Sequence, residues 1–233
     1  MRVSELNWMQ LEAQLARDDR VVLPLGCVEQ HAYLSLATDA ILAERVSVEA
    51  AEPLGVPVLP VLAYGITPAF AAYPGSVTLR VETYARLVRD LLDSLGRQGF
   101  GRILLVNGHG GNAPARAVAE EWAAEREGRQ ARFHDWWLGP RVLEVARSIA
   151  RPGHASWFEN FPWTRLPGVE LPPGEKPHVE RAAYDRESPS GVRALLGDGS
   201  FGGPYERPDE DMLRLWRTGV EEVRDLLASC WRS

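Results

Sequence analysis

A histidine set between glycines, directly after an apolar run, is where this sequence offers chemistry most openly. The run is Ile103-Leu104-Leu105-Val106, and Asn107-Gly108-His109-Gly110-Gly111-Asn112 follows it at once. A strand ending this way presents an imidazole at its carboxyl edge, where open α/β sheets usually carry ligands. The glycines let the backbone approach a ligand or take positive φ. A second run, Val21-Val22-Leu23-Pro24-Leu25, is followed in the same manner by Glu29-Gln30-His31, with Asp39 ten residues beyond Glu29. Glu29 and His31 lie two apart, so on extended backbone they point the same way. That spacing suits two neighbouring ions, one for each residue. Asp39 is able to bridge them, because a carboxylate has two oxygens and several lone-pair sites. His109 completes one shell, and a carboxylate from elsewhere must complete the other. Two metals roughly 3.5–4 Å apart hold a shared hydroxide and polarise a carbonyl. Mixed histidine and carboxylate ligation suits zinc or manganese. The expected chemistry is metal-dependent hydrolysis.

Each residue also has a plainer use. Asp39 alone would serve as the N-cap of a helix starting at Ala40, and Asn112 as the cap of the next. Cys27, near Glu29 and His31, admits a cysteine hydrolase, although a small buried thiol at a strand end is far commoner. A non-catalytic oligomeric binding protein on the same scaffold is the third alternative. Gly108-His109-Gly110-Gly111 lacks the Gly-x-Gly-x-x-Gly spacing of dinucleotide binding.

The elements that must position these groups alternate. Residues Ala40 to Glu52 fit a helix, and Val56 to Leu62 a short buried strand that Pro57 and Pro60 push toward a sheet edge. Leu87, Val88, Leu91, Leu92 and Leu95 mark an amphipathic helix from Tyr84, with Gly96 and Gly99 as its stop. Pro114 is tolerated in the first turn of a helix carried on by Ala117 to Arg126. Arg132-Phe133-His134 reads as a further strand. Pro152 to Gly203 is rich in proline and glycine, and so long a structureless stretch is usually functional. A final helix places Met212, Leu215, Trp216, Val220, Val223 and Leu227 on one face. This rhythm predicts an α/β fold, with a mostly parallel central sheet flanked by helices on both faces.

Composition bounds the function. At 233 residues the chain fits a single domain, residues 1–233, and 45% hydrophobic with 25% charged residues is ordinary for a soluble protein. A net charge of −6 without a basic run speaks against nucleic acid as partner. Lys176 is the only lysine, so nearly all positive charge is arginine. No apolar stretch approaches the ~18 residues of a membrane span, and the start has no signal-peptide pattern. Two cysteines, Cys27 and Cys230, make no disulfide framework. Cytoplasmic is the expected location.

Together these motifs carry a resemblance. Leu23-Pro24-Leu25-Gly26-Cys27-Val28-Glu29-Gln30-His31, then Leu36-Ala37-Thr38-Asp39, then the hexapeptide ending at Asn112, resemble the creatininase (creatinine amidohydrolase) family. Tyr73-Pro74-Gly75-Ser76-Val77-Thr78-Leu79 is similar to a further family segment, and Gly153-His154-Ala155-Ser156-Trp157-Phe158-Glu159 to a later one. The resemblance implies a creatininase-like α/β fold that hydrolyses a C–N bond of a small molecule at a dinuclear centre. Carried over, the ligands would be Glu29, His31, Asp39 and His109, with Asp39 bridging. Zinc is the first choice for the two ions, with manganese or iron as alternatives. Creatininase proper has a glutamate where this chain has Gly111, so the remaining ligand role is given to Glu159. His154 would donate a proton to the leaving nitrogen or orient the carbonyl. Ser76, Gly110, Gly111 and Trp157 are expected to bind substrate; Trp136, Trp137, Trp157 and Trp163 offer an apolar rim, although loop tryptophans more often pack against the core or a subunit interface. After Glu-Gln-His the family commonly has Gly-Pro-His-Leu-Pro; here Ala32-Tyr33-Leu34-Ser35-Leu36 stands, one residue shorter. The lost second histidine, and Gly110 in place of an aromatic, make creatinine itself a poor fit. Relatives that cleave formamides of pterin or flavin precursors, or trim a peptide in redox-cofactor maturation, keep the double glycine. The family also implies a homo-oligomer, a hexamer in many members.

Overall fold

The computed structural model describes residues 1–231. Three parallel strands form the sheet in the order β1-β2-β3: β1 (Arg20–Leu25), β2 (Arg102–Asn107) and β3 (Gln130–Asp135). The register pairs Leu25 with Asn107 and Asn107 with Asp135, so the three carboxyl ends lie level. Both faces are covered, as near-continuous apolar strands require. Val22, Leu104 and Val106 point to one side, against α2 (Thr38–Ala51), α5 (Pro140–Ile149) and α8 (Asp209–Ser229). Val21, Leu23, Leu25, Ile103 and Leu105 point to the other, against α3 (Val81–Gln98) and α4 (Pro114–Ala124). The alternation follows from the two-residue period of a strand. A short helix, α1 (Trp8–Leu15), precedes β1 and buries none of its own residues.

Local expectations meet the structure unevenly. The amphipathic helix from Tyr84 is α3, and it stops at Gly99 with a left-handed φ of 109°. The segment Val56–Leu62 does lie along the free edge of β1, but as isolated bridges at Val58 and Leu62. Pro57 and Pro60 bring no N–H, so the ladder is carried by the Leu59 and Leu62 N–H groups and the Pro57 carbonyl. Asp39 is not an N-cap. Helix α2 begins at Thr38, which places Asp39 inside the first turn. Nor does Asn112 cap α4: its amide donates inward to the Gly26 carbonyl and to Asn107 Oδ1, stronger claims than a solvent-facing helix end. The stretch from Pro152 onward is more ordered than its composition suggests. It holds α6 (Arg181–Tyr184), α7 (Pro189–Leu196) and a two-residue antiparallel pairing of β4 (Glu175–Lys176) with β5 (Gly203–Pro204). The lone lysine secures it, since Lys176 Nζ reaches the Leu196 and Ser200 carbonyls and the Asp198 carboxylate. Among the described residues no helix is long and apolar enough to cross a membrane.

Candidate metal centre

The loop after β1, the first turn of α2, the loop after β2 and the segment running from His154 into the short turn Trp157–Glu159 meet beyond the level strand ends. They deliver Glu29, His31, Asp39, His109, His154 and Glu159 to one buried spot. Asp39 stands in the middle: its Oδ1 is 3.0 Å from His31 Nε2 and its Oδ2 2.9 Å from His109 Nδ1. Glu29 Oε1 lies 3.4 Å from His109 Nδ1, and Glu159 Oε2 lies 3.7 Å from His31 Nε2. Three overlapping groups are close enough to hold a cation: Glu29, Asp39 and His109 with Cys27; His31, Asp39 and Glu159; and Glu29, His31 and His154.

The protons on the imidazoles are set from behind. His31 Nδ1 is 3.2 Å from the Glu29 carbonyl, and His109 Nε2 is 2.9 Å from the Ile66 carbonyl. A carbonyl only accepts, so both rings donate outward and turn their other nitrogen toward Asp39. Despite the short distances, His31 Nε2, Asp39 Oδ2 and Glu29 Oε2 are buried without a hydrogen bond. Orphaned buried polar atoms are rare, and three facing one space are what ligand atoms for a cation look like.

Electrostatics tell the same story. Burial opposes charge on His31, yet Asp39 and Glu159 overcome it and lift the imidazole to about 10. His109 is likewise raised well above its ordinary value, burial being outweighed by Glu29 and Asp39. Burial would raise Asp39, but His31 and His109 hold it well below the usual carboxylate range. Glu159 goes the other way, pushed up to about 7 by burial against the opposing pull of His31. His154 differs from its neighbours. Burial and then His31 push it down to about 4, so it is a neutral ring at ordinary pH.

Supports that the sequence did not announce complete the site. Asn107 donates to the His109 carbonyl at 2.6 Å and to Asp135 at 2.7 Å, locking the loop after β2. At Gly111 a Cβ would fall 1.8 Å from the Ile66 oxygen, so only glycine lets that carbonyl reach His109. The glutamate of creatininase proper has no room here. Phe70 stacks on His154, with centroids 5.0 Å apart and planes 9° apart, and Phe201 packs beside both rings, tilted against His154 at 4.9 Å.

A cavity of about 580 Å³ opens over the cluster, lined among others by Gly110, Gly111, Phe70, Trp137, Tyr184 and Phe201. Two expected substrate residues stand apart from it. Ser76 accepts the Gln30 backbone N–H at 3.0 Å, and Trp157 is fully buried in the core with its indole N–H on the Arg151 carbonyl. Of the four tryptophans, only Trp137 lines the cavity. Trp136 is buried, and Trp163 packs on Trp216 beneath the Arg45 guanidinium. Their large apolar surface gains more from the core than from a rim. A larger depression of about 720 Å³ between Arg165 and Arg207 contains no histidine, and both arginines are paired there, with Asp209 and Glu175. Cys27 is fully buried and its thiol is pushed up by that burial, which leaves it no nucleophile.

The fold and this cluster together define a class. Residues 4–227 match the family model described as Creatininase: Creatinine amidohydrolase, so the chain belongs to the creatininase family. It is 35% identical over 114 residues to the creatinine amidohydrolase of Pseudomonas putida, covering 46% of this chain and 44% of that one. It is also 35% identical over 106 residues to the mycofactocin precursor peptide peptidase of Mycolicibacterium smegmatis (strain ATCC 700084 / mc(2)155), covering 42% of each. The aligned part is thus less than half of either curated relative. The fold likeness runs further: a crystal structure of creatinine amidohydrolase (creatininase) superposes with a TM-score of 0.77 at 23% identity, covering 100% of this chain and 98% of that one.

Proposed function

We propose that this protein is an amidohydrolase that cleaves the C–N bond of an amide, formamide or cyclic amide in a small molecule, using two divalent cations. The observation that carries this reading is Asp39 set between His31 and His109, with unpartnered buried atoms around it. Glu29, Asp39 and His109 would hold one ion; His31, Asp39 and Glu159 would hold the other. A solved creatininase of zinc–zinc type has a comparable fold, with a TM-score of 0.71, and supports zinc as the first choice. Bound cations would supply a nucleophilic water at neutral pH and an electrophile for the carbonyl.

The remaining residues bind and orient. Gly110 and Gly111 open the short turn Gly110–Asn112, where leading N–H groups lack acceptors within the turn and are available to a developing oxyanion. Phe70, Phe201 and Trp137 give a flat amide apolar walls and exclude water. His154 turns Nδ1 toward the cluster, 3.8 Å from both Glu29 and Glu159, and so faces the reacting amide. We further infer that residues 1–233 act as one cytoplasmic unit within a homo-oligomer, a hexamer by family. A second reading, trimming of a peptide, is favoured by the size of the cavity and by the peptidase among the relatives. The deciding experiment incubates zinc-loaded protein with a panel of formamides, lactams and short peptides and measures released amine. Release from the small amides alone supports the first reading, release from peptides alone supports the second, and metal-loaded protein inert toward all of them refutes both.

A further inference from the structure

Gln30 sits between two candidate ligands, Glu29 and His31, yet its side chain is hydrogen-bonded elsewhere. Its buried amide makes three contacts: Oε1 accepts the Ala32 N–H at 3.1 Å, Nε2 donates to the Gly199 carbonyl at 3.1 Å, and Nε2 lies 2.9 Å from His154 Nε2. The two backbone partners fix which end of the amide is oxygen, because an N–H cannot accept and a carbonyl cannot donate. The second amide hydrogen therefore points at His154 Nε2, which must offer a lone pair. The proton of this ring is then on Nδ1, the atom turned to the cluster.

The surroundings hold that arrangement. Ala32, whose N–H meets the amide oxygen, has a left-handed φ of 49°, a strained value for a residue with a Cβ. Gly199 has a φ of +99°, and a Cβ there would fall 1.7 Å from Gln30 Oε1. Phe70 stacks on one face of His154 and Phe201 packs against it at a tilt. A neutral imidazole with Nδ1–H can donate a hydrogen bond, but giving the proton away would leave an imidazolate. A proton shuttle would need Nε2 protonated, and Gln30 denies it an acceptor there.

We propose that Gln30 is a positioning residue that locks His154 as a neutral Nδ1–H donor, so that His154 holds the substrate oxygen by a hydrogen bond and is not the acid that protonates the leaving nitrogen. This rests on the amidohydrolase reading and narrows one role within it.

The test pairs spectroscopy with turnover. In zinc-loaded protein, ¹⁵N spectra of the His154 ring should show a pyrrole-like Nδ1 and a pyridine-like Nε2 at neutral pH. Gln30→Ala should let the ring relax to mixed tautomers, and Gln30→Glu should draw the proton to Nε2. His154→Ala should lose about a hundredfold to a thousandfold in kcat, the usual cost of one such donor. His154→Asn keeps an N–H donor but no titratable proton, and should recover most of the turnover that His154→Ala loses. A protonated Nε2 in the unaltered protein overturns the inference whatever the turnover. A correct tautomer with His154→Asn as inactive as His154→Ala overturns the donor role. Should no amide in the panel be cleaved, the amidohydrolase reading and the donor role fall together, while the ¹⁵N result still decides the tautomer lock by itself.

Discussion

Asp39 is buried with one imidazole on each carboxylate oxygen. Asp39→Asn keeps the shape and removes the charge. It should drop metal content from about two ions per chain to less than one and cut turnover by at least about a hundredfold, read by elemental analysis and amine release. The raised imidazoles make a second prediction. His31, lifted to about 10, and His109 are protonated at neutral pH when no cation is present, so metal loading must expel those protons. Binding should therefore strengthen as pH rises and weaken as it falls. Calorimetric titration in buffers of different ionisation enthalpy should show net proton release near pH 7. The same shift has a sign for the stability of metal-free protein: the contribution of His31 is complete below the ordinary ~6.5 and fades as pH climbs toward about 10. Melts in chelator across that alkaline window should show the decline.

At the scale of elements, the site is held by loops bent into unusual shapes. Two alanines, Ala32 and Ala155, take left-handed φ values of 49° and 52°, and each follows a candidate histidine. The Ala155 N–H binds Glu159 Oε2 at 2.6 Å, as the Ala32 N–H binds Gln30. An L residue in this region costs roughly 1–2 kcal/mol, about what glycine would give back less its extra freedom when unfolded. Ala32→Gly should thus leave the melting temperature unchanged or raise it slightly, where an ordinary loop Ala→Gly would lower it. The polar mesh of Asn107, Asn112 and Gly26 does the corresponding work after β2.

Across the whole molecule, two apolar cores flank a narrow sheet, and the cluster lies at the rim of both. Trp216 anchors the core under α8, edge-to-face with Trp136, Phe161 and Trp163, with its N–H on Glu49 at 2.8 Å. Trp216→Ala should cost about 3–5 kcal/mol in urea unfolding. It should leave metal content of the folded fraction intact, because the residue touches none of the cluster. The tryptophans show packing winning at this scale: of the four in loop-like stretches, three pack into the core and Trp137 alone meets the cavity, the outcome that loop tryptophans more often have.

What the sequence determined by itself is what depends on neighbours in the chain. Apolar periods set β1, β2, α3 and α8, and the strand-end motifs placed Glu29, His31 and His109 at one edge, since a strand's end and a parallel register leave little freedom. Tertiary structure decided the rest. His154 and Glu159 reach the cluster over more than a hundred residues, through a loop whose path depends on Lys176, Gly199 and the two left-handed alanines. Which tryptophan meets solvent, which carbonyl backs each imidazole and which proton His154 keeps are settled by contacts between distant segments. Side-chain type and spacing register no such contacts, because packing energy belongs to pairs of surfaces and not to a stretch of chain.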